Sequence, residues 1–379
     1  MSTMTNSLNA TFGGKRVLLT GHTGFKGTWM AEWLIALGSN VTGYSLPPPT
    51  QPSLFHSAAM EKRLQHIEGD VRDAARLRDV ISAGEFDFVF HLAAQPIVRV
   101  SYADPTGTFE TNVMGTINTL EAVRRAARVC VVVVITTDKC YENREWLHGY
   151  REEDPLGGHD PYSASKAAAE IAVSAWRRSF FSPDKGMLVA TARAGNVIGP
   201  GDWAADRIVP DCIRALQGGR PIPVRNKVST RPWQHVLEPL GGYLLLAAQL
   251  AASRENGDKN RAARLASAFN FGPPLSSNRT VADLVGEVLK HWPGTWEDRS
   301  DPNAPHEAGK LNLTTDKAFH LLGWRARWDF AATIAHTIRV YRELSAAPSG
   351  KDVHQLLLRE IASYSTCFTD PINVHEHTG

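Results

Sequence analysis

The sequence predicts an α/β fold, with a Rossmann-type doubly wound parallel sheet and a smaller, partly interleaved C-terminal lobe. Short apolar segments alternate with helical segments through the first half of the 379-residue chain, a pattern typical of right-handed βαβ units. A glycine-rich turn at residues 21–27 follows the first apolar segment. After Arg193 the alternation stops and Pro, Gly and Arg become frequent, which indicates a second lobe.

Each predicted element depends on its own hydrophobic pattern. The segment 131–136 is β-branched and almost wholly apolar, which is typical of a strand buried on both faces. Trp29, Trp33 and Leu37 recur at helical spacing, and Gly38 ends that helix. We expect strands at 16–20, 41–44, 64–68, 86–93, 131–136, 188–192 and 268–271, and helices at 25–37, 108–128, 163–180, 238–252, 281–291, 315–322 and 330–344.

These elements divide the chain into two parts. Residues 14–193 form the expected dinucleotide-binding Rossmann domain, to which we also assign 233–256. Residues 194–232 and 257–379 form the smaller lobe, which we expect to bind substrate.

Composition excludes several classes of protein. With 41 basic and 39 acidic residues and a net charge of +2, the chain lacks the basic excess typical of nucleic-acid binders. The four cysteines are scattered without metal-ligand spacing, so we expect free thiols and no metal. Residues 1–13 lack a signal-peptide pattern, and no apolar run approaches the roughly 20 residues of a membrane helix. We therefore expect a cytoplasmic protein.

The turn from Gly21 to Gly27 carries glycines at positions 21, 24 and 27, between a strand and a helix. Glycines permit a tight turn and the close approach of backbone amides to a pyrophosphate, which the helix N-terminus also attracts. We expect a dinucleotide here, with Gly21, His22, Gly24, Phe25, Lys26 and Gly27 around it. His22 replaces the small residue common in such turns, and either fills space beside the turn or perturbs the fit of the cofactor.

The choice between NAD and NADP depends on the end of the second strand. An acidic residue there would bind the ribose hydroxyls and repel a 2′-phosphate, but 43–46 reads Gly-Tyr-Ser-Leu. NAD is expected and NADP is not excluded, with Lys26 available to a 2′-phosphate. Asp70 and Val71 follow the third strand and suit the adenine edge.

Tyr162 and Lys166 are four residues apart on a predicted helix, so both side chains lie on one face. A lysine cation beside a phenol lowers the pKa of the phenol, and Tyr162 would then serve as a base near neutral pH. Thr137 ends the strongest strand, at the edge where open parallel sheets bind ligands. Without these neighbours, an exposed pair of polar residues would be the simpler interpretation.

Together with His91–Gln95 and Arg193–Gly199, these motifs resemble the extended short-chain dehydrogenases that act on nucleotide sugars. The segment 137–143 (Thr-Asp-Lys-Cys-Tyr-Glu-Asn) is similar to the Thr-Asp-Glu segment of the 4,6-dehydratases that act on dTDP-glucose, and its lysine resembles the form that acts on CDP-glucose. Residues 157–162 and 229–239 resemble the same enzymes. The resemblance also implies that the dinucleotide is contacted by Leu92, Ala93, Ala94, Thr111, Tyr162, Lys166 and Arg193.

The resemblance implies a specific course of reaction. Tyr162 takes the proton of the sugar 4-hydroxyl while hydride leaves C4 for the nicotinamide, and the hydride later returns to C6. Asp138 acts as the acid that helps the 6-hydroxyl leave as water, and Lys139 acts as the C5 base, either directly or by positioning a water. We expect the pKa of Asp138 to be raised, and that of Lys139 to be lowered by burial and by nearby positive charge.

On the substrate side, the resemblance and the residue types point to five side chains. They are Gln95, Asn196, Arg207, Arg231 and His306. The helices at 108–128 and 163–180 would form a helix-bundle interface in a homodimer or homotetramer. Two alternatives stay open: a nucleotide-sugar 4-epimerase, which needs neither Asp138 nor Lys139, and a non-catalytic dinucleotide-binding protein, which would not need the Tyr162–Lys166 pair.

Overall fold

The computed structural model describes residues 3–128, 130–300, 310–346 and 350–367. Its centre is a seven-stranded sheet in the order β11-β6-β5-β4-β1-β2-β3, in which all neighbouring strands are parallel. The strands are β1 Arg16–Thr20, β2 Asn40–Ser45, β3 Gln65–Glu68, β4 Phe88–His91, β5 Cys130–Ile135, β6 Met187–Arg193, β7 Val197–Ile198, β8 Ile222–Val224, β9 Thr230–Pro232, β10 Gln234–His235, β11 Ala268–Asn270, β12 Asn278–Thr280 and β13 Trp296–Asp298.

Some helices cover the two faces of this sheet and others build a smaller lobe. The helices are α1 Thr3–Phe12, α2 Phe25–Ala36, α3 Leu54–Ser57, α4 Ala74–Gly84, α5 Val98–Ala103, α6 Pro105–Phe109, α7 Gly115–Ala126, α8 Pro161–Ser179, α9 Ile208–Gln217, α10 Leu237–Glu255, α11 Lys259–Leu265, α12 Val281–His291, α13 Asp316–Leu322, α14 Phe330–Ala346 and α15 Gly350–Thr366. A π-helical turn, Glu110–Met114, joins α6 to α7, so the helix expected at 108–128 is made of three consecutive segments.

The central strand β5 shows why the sheet needs helices on both faces. Val131, Val133 and Ile135 belong to one buried cluster, whereas Val132 and Val134 belong to another on the opposite face. Successive side chains of a strand point to opposite faces, so this wholly apolar strand requires two apolar covers. Helices α4, α7 and α8 supply one cover, and α1, α2, α10 and α15 supply the other.

A smaller lobe lies beyond β6. Its two-stranded sheets pair β10 with β7, β12 with β9 and β13 with β8. Helices α9, α12 and α14 pack around a third buried cluster that includes Ile213, Leu284 and Ile338. The lobe is interleaved with the sheet domain, because α10 and β11 return to the large sheet between its segments.

At least two segments that the sequence places in the smaller lobe pack with the sheet domain instead. Strand β11 pairs with β6, with Ala268 beside Thr191 and Asn270 beside Arg193. Helix α15 packs against α2. We therefore propose that 268–270 and 350–366 are grouped with 14–193 and 233–256, which amends the single C-terminal range 257–379.

None of the helices in the described part of the chain combines the length and apolarity that a membrane crossing requires. Among the same residues, no group of three or more His, Cys, Asp or Glu side chains could hold a metal ion.

Candidate active site

The strand order reverses between β1 and β4, which are neighbours in the sheet but not in the chain. Ligands of open α/β sheets bind in the crevice at such a point. The turn after β1 and the segment Leu92–Ala94 after β4 meet there. Gly21 has φ +74° and a Cβ atom at this position would lie 2.7 Å from the backbone nitrogen of Ala93. Only glycine therefore brings these two segments of the expected dinucleotide site together.

Helix α2 begins in this crevice with its N-terminus uncapped. Gly24 is its N-cap residue and supplies no side-chain hydrogen bond. The first N–H groups of a helix have no partner within the helix, so the amides of Phe25, Lys26 and Gly27 are suited to bind a phosphate. A Cβ atom at Gly27 would lie 2.1 Å from the carbonyl oxygen of Gly21, which explains the last glycine of the motif.

His22 is fully buried and its ring lies against Gly43 of β2. A Cβ atom at Gly43 would stand 2.4 Å from the imidazole ring. The Nε2 atom of His22 is hydrogen-bonded to Nδ1 of His66 at 2.7 Å. Burial, with His66 as a second cause, lowers the pKa of His22 to about 3, so the ring is neutral. Of the two interpretations from sequence, the structure supports a space-filling side chain that packs inward.

The end of β2 is the place where an acidic side chain would bind the ribose. In this structure, uncharged side chains line it. The hydroxyl groups of Thr23 and Ser45 are 2.9 Å apart, and Thr23 also donates to the carbonyl oxygen of Leu46. The ammonium group of Lys26 lies elsewhere, within electrostatic reach of Arg207 and Lys166. The side chain of Lys26 thus lies toward the expected catalytic residues and away from the position of a 2′-phosphate at the end of β2.

Other residues expected around the dinucleotide lie at the same edge of the sheet. Asp70 follows β3, and its carboxylate is hydrogen-bonded to Arg72. Val71 is buried and packs so tightly on Gly115 that a Cβ there would lie 2.6 Å from its methyl group. Thr111 lies in the π-helical turn and is half-buried.

Tyr162 and Lys166 lie on the first turns of α8, which Asp160 caps by accepting from the Ser163 amide at 3.0 Å. The Nζ atom of Lys166 donates to the carbonyl oxygen of Ile135 at 3.2 Å, which draws it to the end of β5. Both side chains are buried. Helical spacing and this anchor place the pair beside the residues that follow β5.

Burial raises the pKa of Tyr162 to about 12, although a hydrogen bond with Thr137 acts in the opposite direction. The direction is opposite to the one expected for a phenol beside a lysine, because desolvation of the phenolate outweighs the attraction of Arg207. Burial also lowers the pKa of Lys166 to about 8. A further positive charge beside the phenol is needed before it can act as a base near neutral pH.

Asp138 and Lys139 form a short 3₁₀ turn directly after β5. Thr137 caps the turn by accepting from the Lys139 amide at 3.3 Å, and its hydroxyl donates to Oδ1 of Asp138 at 2.9 Å. Asp138 is 1% exposed, and burial raises the pKa of its carboxyl group, although Lys139 and Arg231 oppose the rise. This direction agrees with the expectation for a group that must donate a proton.

Arg193 was expected to contact the cofactor, but its guanidinium lies beneath α8. It donates to Glu170 at 2.9 Å, to the phenolic oxygen of Tyr141 at 2.8 Å and to the carbonyl oxygen of Glu152 at 2.9 Å. Both members of the Arg193–Glu170 pair are almost fully buried. These contacts assign Arg193 to holding α8 against the sheet, which corrects its place among the cofactor residues.

Of the residues expected to bind substrate, Arg207 and Arg231 lie within electrostatic reach of the expected catalytic residues. Arg207 pairs with Asp202 at 2.8 Å and lies within electrostatic reach of Tyr162. Arg231 acts electrostatically on Asp138. Asn196 follows β6 with φ +47° and is half-buried.

The other two substrate candidates differ. Gln95 uses both ends of its side-chain amide inside the protein: Nε2 donates to Thr108 at 2.9 Å and Oε1 accepts from the Ile97 amide at 2.6 Å. Its position therefore fits a role in ordering the segment after β4. His306 lies outside the described residues.

A sequence model of the GDP-mannose 4,6-dehydratase family matches residues 18–337 of the chain. The chain belongs to the nucleotide-sugar 4,6-dehydratase family. A CDP-glucose 4,6-dehydratase from Salmonella typhimurium is 43% identical over 94% of this chain and 98% of its own length. A dTDP-glucose 4,6-dehydratase from Streptomyces antibioticus is 32% identical over 73% of this chain and 76% of its own length.

Solved structures agree with this membership. A dTDP-glucose 4,6-dehydratase from Streptomyces venezuelae, solved with NAD bound, aligns with a TM-score of 0.72 and 26% identity over 86% of this chain and 97% of its own. A UDP-glucose 4-epimerase from Thermus thermophilus, in complex with NAD, aligns with a TM-score of 0.73 and 25% identity over 86% and 99% of the two chains. The dehydratase fold is thus shared with epimerases, and the residues at the site must separate the two activities.

Sequence reasoning on this dehydratase missed three residues that surround the acid. Gly195 lies against the Asp138 carboxyl group, the buried Gln234 donates to the carbonyl oxygen of Gly195 at 2.9 Å, and the buried Tyr243 lies within electrostatic reach of Asp138. Gly195 and Gln234 stand within motifs that were recognised, so only their roles were missed. Tyr243 lies in the long apolar helix α10, where its hydroxyl was the one signal that could have drawn attention.

Proposed function

We propose that the chain is an NAD-dependent CDP-glucose 4,6-dehydratase that converts CDP-D-glucose into CDP-4-keto-6-deoxy-D-glucose. The observation that carries the proposal is the placement of Asp138 and Lys139 at the end of β5, next to Tyr162 and Lys166. The 43% identity with a CDP-glucose 4,6-dehydratase over almost the whole of both chains supports the choice of base.

The residues present fit a dinucleotide. The uncapped N-terminus of α2 offers amides to the pyrophosphate, Gly21 allows the turn to approach Ala93, and uncharged side chains surround the end of β2. A dinucleotide held by these residues would supply reversible hydride transfer, first from the sugar and then back to it within one turnover. We favour NAD over NADP because Lys26 faces the catalytic residues, and because the related structures named above contain NAD.

Oxidation at C4 requires removal of the 4-hydroxyl proton. We assign this step to Tyr162, whose hydroxyl is hydrogen-bonded to Thr137. The positive charge of oxidised nicotinamide beside the phenol would lower the pKa that burial raises, and Lys166 would hold the nicotinamide ribose. Glu170 and Arg193 stabilise α8, which carries both residues.

Elimination of water across C5 and C6 requires a base and an acid. We assign the base to Lys139, acting directly or by positioning a water, and the acid to Asp138. The carboxyl group of Asp138 is buried and burial raises its pKa, which favours the protonated form that must supply a proton to the departing 6-hydroxyl. An epimerase would need neither group.

We assign the substrate diphosphate to the cations near this turn. Lys26 and Arg207 lie within electrostatic reach of each other, and Arg231 reaches Asp138 from the smaller lobe. Planar guanidinium groups bind phosphate oxygens in pairs, and a lysine adds a point charge. Asn196, after β6, remains a further candidate for this subsite.

The test is parallel incubation of the protein and NAD with CDP-glucose, dTDP-glucose and GDP-mannose, followed by mass analysis of each product. We expect loss of one water from CDP-glucose and turnover of the other two that is lower by at least about tenfold, as for a site built around a specific base. Preferential loss of water from another nucleotide sugar would reject the cytidine specificity. Formation of a 4-epimer without loss of water would reject dehydration.

We also propose a homodimer or homotetramer built on helices α5 to α8. Exposed apolar side chains are concentrated there: Val100, Tyr102, Phe109, Met114 and Ile171 are 39–60% exposed. These side chains lie on helices that contact one another, and exposed apolar side chains grouped in this way are typical of an interface. Light scattering of the wild type and of Ile171→Asp tests the proposal, which predicts dissociation of the variant; a monomeric wild type would contradict it.

A cytoplasmic location is the last part of the proposal. Cys130, Cys140 and Cys212 are buried free thiols, as expected of a protein in a reducing compartment. Fractionation of cells that produce the protein would test this, and recovery outside the cytoplasmic fraction would contradict it.

A further inference from the structure

The two oxygens of the Asp138 carboxyl group have different surroundings. Oδ1 accepts a hydrogen bond from the Thr137 hydroxyl at 2.9 Å. Oδ2 is buried and has no hydrogen-bond partner among the described residues. A carboxylic acid carries its proton on one oxygen, and an oxygen that already accepts a hydrogen bond is the less suitable one. The proton of the neutral acid therefore belongs on Oδ2, and it needs an acceptor there.

A buried acceptor lies on the other side of the same glycine. Gln234 is 1% exposed, and its Nε2 atom donates to the carbonyl oxygens of Gly195 at 2.9 Å and Phe271 at 3.0 Å. These two bonds use both N–H groups and fix the orientation of the amide. This orientation leaves Oε1 as the other end of the Gln234 amide. Like Oδ2 of Asp138, it is buried without a hydrogen-bond partner among the described residues.

Gly195 brings the two groups together. A Cβ atom at this position would lie 1.7 Å from Oδ2 of Asp138, so the carboxyl group occupies the space where a side chain would stand. The carbonyl oxygen of the same residue holds the Gln234 amide. Both residues thus contact Gly195, and each buries an acceptor without a partner, which is costly for each of them. If Oδ2 of Asp138 carries a proton, it becomes a donor to Oε1 of Gln234. The free-energy cost of burying two unpaired acceptors is then removed.

Several other groups act electrostatically on Asp138 and must be weighed. They are Lys139, Arg231, Lys26, Tyr162, Tyr243 and Cys140. The three cations favour the carboxylate, whereas burial favours the neutral acid. A hydrogen bond to an acceptor stabilises only the neutral acid, so it would oppose the cations where they are strongest.

We propose that Gln234 is a positioning residue of the dehydration step, whose Oε1 accepts a hydrogen bond from the protonated Oδ2 of Asp138, directly or through one buried water. The amide keeps the acid protonated until substrate is bound, when the Oδ2 proton leaves the amide for the departing 6-hydroxyl and Asp138 becomes the carboxylate. This inference rests on the proposed function, in which Asp138 is the acid that releases the 6-hydroxyl as water.

Two variants separate this role from simple packing. Gln234→Leu keeps much of the volume and removes the acceptor. Gln234→Glu, protonated in the same buried setting, retains an acceptor and one donor. The control is Gln217→Leu, in which an exposed glutamine that bonds to Ser345 at 2.8 Å is replaced in the same way. Circular dichroism and thermal unfolding confirm that each variant is folded.

The first measurement needs no substrate. Infrared difference spectra of the holoenzyme record the band of the protonated carboxyl group of Asp138, assigned by its loss in Asp138→Asn, as the pH is raised. We expect the midpoint to fall by about one pH unit in Gln234→Leu, as loss of one hydrogen bond implies. The midpoint in Gln234→Glu and Gln217→Leu should stay at the wild-type value. If Gln234→Leu does not fold, a fall of the midpoint in Gln234→Glu would overturn the proposal.

The second measurement is turnover of CDP-glucose against pH. In Gln234→Leu, we expect the alkaline limb of kcat to move to lower pH by the same amount, with KM within about twofold of wild type. Equal losses of kcat in both Gln234 variants without any shift would show a purely structural role and overturn the inference. If the wild type does not dehydrate CDP-glucose, the proposed function fails, whereas the infrared midpoints still decide the contact between Asp138 and Gln234.

Discussion

The carboxyl group of Asp138 occupies the space in which a side chain of Gly195 would stand. A Cβ atom added to Gly195 would lie 1.7 Å from Oδ2 and 2.0 Å from Cγ of Asp138. Gly195, two residues beyond β6, thus limits where the carboxyl group of Asp138, beyond the end of β5, can lie. This constraint involves only the backbone of Gly195 and the side chain of Asp138, and neither the dinucleotide nor the substrate takes part in it.

Replacement of Gly195 by Ala should therefore displace the acid. We expect kcat for dehydration to fall by about 10²-fold, the effect of moving a catalytic group by roughly 1 Å, while binding of NAD stays unchanged. Turnover and fluorescence titration of NAD measure the two effects. Gly286→Ala is the matched control, because a Cβ there would meet no atom within 4 Å. Normal turnover by Gly195→Ala would contradict the assignment of Asp138.

Lys139→Ala tests the C5 base. We expect the variant to bind NAD normally but to lose formation of the 4-keto-6-deoxy product by about 10²- to 10⁴-fold, the range for a general base. Exchange of the C5 hydrogen with deuterated solvent should fall in parallel. Lys290→Ala, at an exposed site paired with Glu287, is the control. Wild-type turnover by Lys139→Ala would reject the role of Lys139.

The pKa of Lys26, lowered to about 8 mainly by burial, predicts a pH dependence of substrate binding. Above this value the free enzyme loses a cation at the site that we assign to the substrate diphosphate, so kcat/KM should fall as the pH rises through about 8. Lys166 also has a pKa near 8. Lys26→Arg, which stays charged, should shift or flatten this fall if Lys26 causes it; an unaltered profile would assign the fall to Lys166.

His22, in the glycine-rich turn, packs on Gly43 of β2. We therefore expect the effects of substitutions at these two residues on stability to be coupled. Gly43→Ala places a Cβ atom 2.4 Å from the imidazole ring, and overpacking of this kind costs about 1–3 kcal/mol of unfolding free energy. His22→Ala removes the clash. We expect the double variant to be more stable than the sum of the single changes implies, as measured by chemical denaturation. Additive losses would show that the ring is able to move aside.

Glu238 predicts an unusual pH dependence of stability. It accepts from the Arg327 and Trp328 amides and contacts the Tyr364 hydroxyl at 2.7 Å, and burial raises its pKa from 4.5 to about 7. The folded state thus holds a proton that the unfolded state has lost between these values. Its contribution to stability is complete below pH 4.5 and declines as the pH rises to about 7, by roughly 3 kcal/mol at most.

Glu238→Gln mimics the neutral form and should remove that decline. We expect the free energy of unfolding of the variant to vary less between pH 5 and about 7 than that of the wild type, as measured by denaturant titrations at several pH values. Asp316→Asn, at the start of α13, is a control outside this buried network. Parallel curves for wild type and Glu238→Gln would exclude a protonated Glu238.

Much of the fold was predictable because its signals are local. The strand β5 was expected at 131–136 and is found at Cys130–Ile135, because an unbroken β-branched run has few alternatives. Helix α12 was expected at 281–291 and has these bounds. Helix α15 was not expected, although Val353, Leu357, Ile361 and Tyr364 recur at helical spacing and are buried. That spacing predicts helix α15.

The interpretation of single site residues was less secure. Arg193 stands in a motif beside the expected cofactor site, yet its side chain lies in the opposite direction and pairs with Glu170. Lys26 was considered for a phosphate at the end of β2, yet it faces Arg207 and Lys166. A motif gives the position of a residue along the chain, but the direction of its side chain depends on what the rest of the fold places nearby.

By itself, the sequence of this dehydratase determined the alternation of strands and helices, the glycine turn and the spacing of Tyr162 and Lys166, since each depends on residues a few positions apart. Tertiary structure alone decided that β11 completes the large sheet, that His22 packs on Gly43 and that Asp138 meets Gly195. These contacts join residues from distant parts of the chain. Burial, which raises the pKa of Tyr162 and Asp138, likewise exists only once those parts have come together.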